Sequence, residues 1–434
     1  MNYLHPRLYI VWCIMLSSIG LTVNVYADGD AININQESLN SQNQMTLSSA
    51  IKLTLQQNPQ LHQFEFSRLR LGAESEISAL KPAYQLGMDL ENVAGTGEAK
   101  GTDSAEWTVS LSSTIELGDK QQSRIFASDA GLEKLEFEQQ AQTLDVLGEM
   151  TRSFIQLLST QHEQILADEA ISLSKTLFMT VQKRAQQGAV SDAEVMRARA
   201  NHVQSQIKKQ VLQRRMQREK VSLARFWGTV DPGFIEAVGN LYYFGKSKTF
   251  QSLYSEVKHS PAINVLASES RLKEAEIKLA KSQNSTDLEW QVGFRRFESS
   301  GDTGLTLGLS IPLFSQSRNS GAVSAAMADR DAIELRRTEN LLLLHEQLFT
   351  AYSQRQQFVD IHKQLNQQVI PELEKALKLT HKAYEHGRLT YQDWASAQQE
   401  LLDARRQQID AAKNALLNQS VIEQLTAVSL TNTH

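Results

Sequence analysis

The chain has 434 residues, of which 41% are hydrophobic and 21% charged, and its formal net charge is −5. No run of about 18 apolar residues follows the N-terminal segment, which excludes a helical membrane protein, and the mixed charges give no argument for nucleic-acid binding. The mean hydropathy of −0.36 still permits a membrane β-barrel, because alternating strands keep this average low. Seven prolines and abundant helix formers favour long helices.

Residues 1–27 are typical of a secretory signal peptide, because Arg7 precedes an apolar core and small residues stand before the cleavage point. An uncleaved membrane anchor is the alternative interpretation. The only cysteine, Cys13, lies in this segment and lacks the sequence context of a lipid anchor. We therefore expect a mature chain without disulfide, reactive thiol or lipid. Residues 28–45 are polar and predict a flexible N-terminal segment.

The first repeat is predicted over residues 46–229. Thr46 or Ser48 caps a short helix, and a second helix leads to a β-hairpin over residues 82–117, where apolar and polar side chains alternate along both strands. Two long helices then occupy residues 119–227. Their apolar residues have the 3-4 spacing of coiled coils, and the longer helix would form a rod of about 100 Å.

An equatorial linker at residues 230–248 leads to a second repeat over residues 249–434. Its hairpin is predicted over residues 287–313 and its long helices over residues 318–427. Helix ends, strand ends and turns recur in the same order roughly 200 residues later, which indicates an internal duplication. Pro371 has no counterpart in the first repeat and is expected to kink or interrupt its helix.

The strand from Trp107 to Leu117 shows the alternation most clearly, over roughly the 9–11 residues that a tilted strand needs to cross a bilayer. On the apolar faces of the two hairpins we predict lipid contact for Trp107, Val109, Leu111, Trp290, Val292, Leu305, Leu307 and Leu309. The opposite face is predicted to line a water-filled lumen with Thr108, Ser110, Ser112, Thr114, Thr306 and Ser310. The alternative is that the apolar faces pack on the core of a soluble protein.

Four strands cannot close a barrel, and lipid does not tolerate open sheet edges. Other copies of the chain must therefore supply the missing strands. Two copies would give eight strands and a barrel filled by side chains, whereas three would give twelve strands and leave a lumen. The polar inner face favours the larger assembly, and helices that leave one end of the strands should pack side by side as a tube.

The order of signal, helix, hairpin, long helix, glycine turn and returning helix, with all but the signal repeated, resembles the TolC-like outer-membrane efflux proteins over essentially the whole mature chain. Three stretches look like the CzcC-type branch, which exports heavy-metal cations: Glu91–Gly97, Ile115–Lys120 with Arg124 following, and Ile311–Gly321. The resemblance implies an α+β, mainly α fold of the TolC type. Each of its two repeats would contribute a hairpin to a trimeric, twelve-stranded outer-membrane β-barrel and coiled-coil helices to a periplasmic α-barrel.

The same resemblance implies a homotrimer in the lipid of the cell outer membrane, extending into the periplasm. It would be the passive outer-membrane channel of a tripartite efflux system. Its partners would be a periplasmic adaptor of the membrane-fusion type and an inner-membrane RND-type pump. No nucleic acid is expected as a partner.

The two helix turns carry the polar residues to which the resemblance gives roles. It implies adaptor docking by Gly188, Ala189, Val190, Ser191, Gly387, Arg388, Leu389 and Thr390. It implies a periplasmic gate or lumen position for Glu194, Asp393 and Tyr384. Arg388 stands one position away from the gate arginine of the best-known family members. The residues alone are also compatible with ordinary capped helix ends whose acids are solvated.

No motif indicates catalysis, a metal site or a cofactor. The ten histidines form no HExxH or Cys/His cluster, and His381 and His386 are five apart, a poor spacing for one helical face. We expect both to be solvated surface residues. We therefore expect a protein that is not an enzyme and that takes its transport energy from another protein.

Three functions remain open at this point. The first is a duct for heavy-metal cations with a proton-driven pump, and the second is a duct for drugs or for polypeptides of a type I secretion system. The third is a periplasmic coiled-coil scaffold without a pore. Apolar faces on four strands argue against the scaffold, which has no need of them, but nothing in the residues separates the two ducts.

Overall fold

The computed structural model describes residues 44–313 and 319–430. The predicted signal peptide and residues 28–43 lie outside these residues. The predicted flexible segment is too long by two residues, because Gln44 and Met45 belong to strand β1 (Gln44–Thr46). This strand pairs in parallel with β4 (Glu236–Val238), and the pairing buries Met45.

The first repeat contains two short and two long helices around one hairpin. Its elements are α1 (Leu47–Gln57), α2 (Pro59–Ser78), β2 (Gln85–Glu91), β3 (Glu106–Ile115), α3 (Lys120–Gln186) and α4 (Asp192–Ala224). Thr46 caps α1 by accepting a hydrogen bond from the backbone N–H of Ser49 at 3.1 Å. Helix α3 has 67 residues and no break, which corresponds to a rod of about 100 Å.

The second repeat follows the same plan with one interruption. Its elements are α5 (Phe250–Val257), α6 (Pro261–Ser282), β5 (Leu288–Phe297), β6 (Thr303–Ser310), α7 (Ser320–Gln364), α8 (Ile370–Glu385) and α9 (Tyr391–Thr426). Between α7 and α8 lies a π-helical segment, Leu365–Val369, which ends two residues before Pro371. The expected interruption at this proline is confirmed. Within the residues that the structure describes, no helix is both long enough and apolar enough to cross a bilayer.

The two hairpins form one antiparallel sheet with the strand order β2-β3-β5-β6. The join between the repeats is β3 with β5, where Val109 lies opposite Phe294 and Leu111 opposite Val292. Strand β2 and strand β6 each have one unpaired edge among the described strands. Helices α2 and α6 enter the sheet, and α3 and α7 leave it, at the end opposite the hairpin tips.

The predicted linker at residues 230–248 does more than connect the repeats. Phe234, Ala237 and Leu241 are buried in a core cluster with α1, α3 and the end of α4. Farther along the linker, the buried Arg355 donates a hydrogen bond from its guanidinium to the carbonyl of Phe244. Because these apolar side chains and backbone groups have partners in the helices, this region is part of the core.

Candidate functional site

One face of the four-stranded sheet is apolar across all four strands. Two rows of directly paired residues on this face are Leu86–Leu111–Val292–Leu307 and Met88–Val109–Phe294–Leu305. Much of this face is exposed, with Leu86 79% and Leu307 76% accessible. All eight side chains predicted to contact lipid lie here. A contiguous exposed apolar surface of this kind needs an apolar phase or a partner to cover it.

The opposite face is polar and crowded. Thr108 is buried, and Arg295 donates to its hydroxyl at 3.0 Å while forming ion pairs of 3.0 Å with both Glu91 and Glu106. A Cβ atom added to Gly293 would lie 2.6 Å from the carbonyl oxygen of Val109, so only glycine fits there. Crowding on the polar side and exposure on the apolar side indicate that the sheet curves towards its polar face.

The junction between the sheet and the long helices is fixed by an arginine clamp. Arg124, near the start of α3, contacts both carboxylate oxygens of Glu116 at 2.5 and 2.9 Å. It also donates to the backbone carbonyls of Ser78 and Leu80 at 3.3 Å each. The motif Ile115–Lys120 with Arg124, one of the three stretches that carry the branch resemblance, therefore orients the rods relative to the strands.

The two helix turns at the far end of the rods have the same backbone geometry. Gly188 and Gly387 have φ angles of 72° and 71°. In each turn the glycine N–H bonds to a carbonyl three residues back and the next N–H to a carbonyl five residues back, all at 2.9 Å. These are Schellman motifs, which require positive φ and therefore favour glycine. Of the eight predicted adaptor contacts, only Val190 is half-buried and the others are exposed.

The two acids predicted for the gate occupy the same position, the third residue of a returning helix. Asp393 forms a capping box, since its carboxylate accepts from the backbone N–H and the hydroxyl of Thr390 at 2.8 and 2.7 Å. These hydrogen bonds lower the pKa of Asp393 below its ordinary value. Glu194 is half-buried, and the side chain of Ser191 makes no cap hydrogen bond to α4.

Tyr384 lies inside the protomer, where only 1% of it is accessible. The guanidinium of Arg184 lies 4.6 Å from the centre of its ring and donates to its backbone carbonyl. The ring of Trp394 also packs against Tyr384, with 5.2 Å between the two ring centres. Burial raises the pKa of Tyr384 above its ordinary value. Tyr384 is therefore buried among the helix ends of its own protomer, in a cluster with Leu177, Tyr391 and Trp394.

His381 and His386 have separate local partners. His381 stacks on Trp394 with 4.3 Å between ring centres, so it is half-buried and not the solvated surface residue that we expected. His386 is exposed, and its Nδ1 lies 2.6 Å from the carbonyl oxygen of Lys382. Over residues 44–313 and 319–430, no group of three or more His, Cys, Asp or Glu side chains is placed to hold a metal ion.

Sequence reasoning missed two features of the tips. The spacing Thr390-x-x-Asp393 is a capping-box signature and was visible in the sequence. By contrast, the contact between Arg184 and the end of α8 joins residues 200 apart, and no local pattern announces it. A helix-end prediction would therefore have found the cap but not the link between the two turns.

A sheet with opposed apolar and polar faces, joined at one end to two pairs of long helices, defines an outer-membrane channel of the TolC type. The chain belongs to the outer membrane efflux protein family, whose model matches residues 50–229 and 253–428. These segments correspond closely to the two predicted repeats. The predicted family, fold class and location in the outer membrane with a periplasmic extension are thereby confirmed.

Three relatives show the range of the similarity. The cobalt-zinc-cadmium resistance protein CzcC of Cupriavidus metallidurans is 25% identical over 305 residues, which are 69% of this chain and 71% of CzcC. The outer membrane protein VceC of Vibrio cholerae has a TM-score of 0.73 at 17% identity, over 89% of this chain and 97% of VceC. CusC has a TM-score of 0.71 at 14% identity, over 88% of this chain and 91% of CusC. The two solved structures share the fold.

Proposed function

We propose that this outer-membrane efflux channel is the passive outer-membrane component of a tripartite system that exports heavy-metal cations. An inner-membrane RND-type pump would supply the energy, and a periplasmic adaptor would join the two. The four-stranded sheet supports the proposed channel, because its exposed apolar face suits lipid and its polar face suits water. The metal cargo is supported by the similarity to the cobalt-zinc-cadmium resistance protein.

The unpaired edges of the sheet support a homotrimer. Strands β2 and β6 each leave one row of backbone N–H and C=O groups without a partner in the described sheet, and such edges must be paired in lipid. Pairing of β6 in one copy with β2 in the next closes a ring. Three copies give twelve strands, wide enough for a lumen lined by the polar face.

The helix turns are proposed as the adaptor-docking tip, because they are exposed and lie at the end of the rods farthest from the sheet. Three copies would place three Glu194 and three Asp393 residues around one aperture. The lowered pKa of Asp393 keeps its carboxylate charged. A ring of carboxylates attracts cations and disfavours anions. Tyr384 would contribute by holding α8 against Arg184 and Trp394.

The cargo is tested in a strain that lacks the gene, by measuring resistance to cobalt, zinc and cadmium, resistance to drugs, and polypeptide secretion. Restored metal resistance alone is the expected result. Restored drug resistance or secretion without metal resistance would assign the cargo to the second kind of duct. A protein that stays soluble after fractionation without detergent would support the scaffold and contradict the channel.

The acidic aperture is tested by single-channel recording in a salt gradient. The double variant Glu194→Gln/Asp393→Asn should shift the reversal potential away from cation preference. Asp192→Asn is the matched control, because Asp192 is an exposed acid in the same turn of α4 as Glu194. An unchanged reversal potential in the double variant would show that these acids do not set selectivity. If the conductance were also unchanged, the acids would lie outside the lumen.

A further inference from the structure

Arg296 is the only ionisable residue on the apolar face of the four strands as the structure describes them. It pairs directly with Trp107 on β3 and with Thr303 on β6, and Leu90 on β2 completes the row. The preceding residue, Arg295, points to the polar face and is held there by two carboxylates. Two adjacent arginines therefore serve opposite faces of the sheet.

The row of Arg296 lies at the hairpin-tip end of the sheet, and the helices leave from the other end. With the helices in the periplasm, this row faces the outside of the cell. Strand β5 begins at Leu288, so Arg296 is its ninth residue and the next to last. A tilted strand of a membrane β-barrel needs about 9–11 residues to cross the apolar part of the bilayer. Arg296 is therefore placed at the headgroup level of the outer leaflet.

The guanidinium of Arg296 is available to a ligand. Its Nε contacts one carboxylate oxygen of Glu298 at 3.2 Å, and 55% of the side chain is accessible. No other hydrogen bond from Arg296 occurs among the described residues, so both terminal NH₂ groups remain free. An arginine fork matches the oxygens of a phosphate and can bind two of them at once. An arginine also costs far less at this depth than at the bilayer midplane.

The neighbours of Arg296 suit the boundary between a lipid headgroup and its acyl chains. Trp107 is 39% exposed, and tryptophan favours the membrane interface because its ring is apolar and its N–H is polar. A cavity at this end of the sheet is lined by apolar side chains, which include Leu90 and Trp107, and by polar and acidic loop residues, namely Thr102, Asp103, Glu298 and Ser299. Apolar and polar groups thus meet at the end of the sheet that carries Arg296.

We propose that Arg296 binds the phosphate of an outer-leaflet lipid, with Trp107 packed at the boundary between its headgroup and acyl chains. The inference rests on the proposed orientation of the sheet in the membrane. Its ligand is a lipid phosphate, because the site opens onto the apolar face and a free phosphate would gain nothing from the neighbouring Leu90 and Trp107. Glu298 orients the guanidinium and competes with the phosphate for it.

The test uses assembled trimers in mild detergent and counts bound lipid A by native mass spectrometry. Arg296→Gln should weaken lipid A binding about tenfold, since the charge-assisted hydrogen bonds are lost. Arg295→Gln is the matched control on the opposite face and should leave binding unchanged. Glu298→Gln should leave binding unchanged or strengthen it, because the competing carboxylate is removed. Lipid A without phosphates and inorganic phosphate alone should both bind the wild-type trimer weakly.

Four results would overturn the proposal. The first is wild-type lipid A binding by Arg296→Gln trimers. The second is equal binding of lipid A with and without its phosphates. The third is a loss in Glu298→Gln as large as in Arg296→Gln, which would make the ion pair structural. Binding of inorganic phosphate as tight as that of lipid A would assign the site to a free anion instead. All measurements use assembled trimers, so these failures would leave the channel itself untouched.

Discussion

The two repeats share one plan but build their long rods differently. The first rod, α3, is a single α-helix of 67 residues. The second consists of α7 and α8 with the π-helical segment Leu365–Val369 between them. The apolar side chains that face α9 in this region are Ile361, Leu365, Ile370, Leu373 and Leu377. Their steps are four, five, three and four residues, and the five-residue step falls on the π segment.

This difference shows how an insertion is accommodated in a long rod. Leu341 follows its equivalent Leu144 by 197 residues, whereas Gly387 follows Gly188 by 199. The second rod therefore has additional residues between these landmarks. In a continuous α-helix, a five-residue step would turn Ile370 away from the face of Leu365. The wider turn of the π segment returns Ile370 to the side that packs on α9.

The largest expected effect is on the sheet, where the repeats should be equivalent. Leu111→Arg in the first repeat and Leu307→Arg in the second should both prevent assembly in the outer membrane. Each places an arginine on the apolar face, where it costs about 2–4 kcal/mol near the midplane in every copy. The amount of heat-resistant trimer in outer-membrane fractions measures the effect.

Ser112→Arg is the matched control, because Ser112 is next to Leu111 on the polar face. Trimer levels should stay near wild type in this variant. Wild-type trimer levels in Leu111→Arg would contradict lipid contact for the apolar face. A defect in only one of the two leucine variants would show that the hairpins do not play equivalent roles.

The second prediction compares how proline affects the stability of the two rods. Ser172→Pro, at an exposed site within α3, should lower the free energy of unfolding by about 3 kcal/mol or more, because proline removes a helix hydrogen bond and clashes with the preceding turn. Pro371→Ala should change it by less than about 1 kcal/mol, since the spacing of the apolar stripe requires the π segment with or without proline. Urea unfolding followed by circular dichroism compares them, with Ser172→Ala as the control. If Pro371→Ala lowered the free energy of unfolding as much as Ser172→Pro does, the prediction would be wrong, because the π segment would then depend on Pro371.

The fold was predictable because its signals are local and repeated. Alternation over residues 107–117 predicts a strand from the residues themselves, and the lack of proline from residue 120 to 186 predicts an unbroken helix. Pro371 marked the interruption, but its π-helical form depends on the packing of Leu365 and Ile370 against α9, which appears only in three dimensions. The packing of the linker around Leu241 was missed for the same reason.

The third effect concerns the glycine turns. Gly188→Ala and Gly387→Ala should each cost about 1–2 kcal/mol, because a Cβ atom strains the left-handed conformation. Gly188→Trp and Gly387→Trp add bulk to the same strain and should abolish cross-linking to the adaptor while trimers remain in the membrane. The alanine variants separate strain from bulk and should still cross-link. Undiminished cross-linking in both tryptophan variants would remove these turns from the interface.

The two tips differ in what surrounds the substituted glycine. A Cβ atom at Gly188 meets nothing within 4 Å, whereas at Gly387 it lies 3.5 Å from Nη2 of Arg184. The sequence around each glycine predicts its turn. It does not predict the contact of Arg184 with the other turn, because that contact joins distant parts of the chain. The glycines of the two turns and the starts of the returning helices lie where the sequence predicts them, because each depends on neighbouring residues only. The environment of Tyr384 depends on residues from both repeats and could not be predicted locally.

The smallest effect distinguishes the caps of the two returning helices. Thr390→Ala should destabilise the start of α9 by about 1 kcal/mol, because the hydroxyl accepts the backbone N–H of Asp393 in the capping box. Ser191→Ala should have little effect on α4, since the Ser191 side chain makes no cap hydrogen bond. Amide hydrogen exchange over residues 388–394 should then be about fivefold faster in Thr390→Ala, and exchange over residues 189–195 should stay unchanged in Ser191→Ala.

The same cap should depend on pH in one direction. The folded state lowers the pKa of Asp393 below 3.8 through its hydrogen bonds to Thr390. A carboxyl group with a lowered pKa contributes stability that is complete above the unfolded pKa and is lost as the pH falls through the folded value. The difference in exchange between wild type and Thr390→Ala should therefore be full at neutral pH and should shrink as the pH falls below 3.8. A difference that grows in acid would show that the charged carboxylate of Asp393 does not hold this cap.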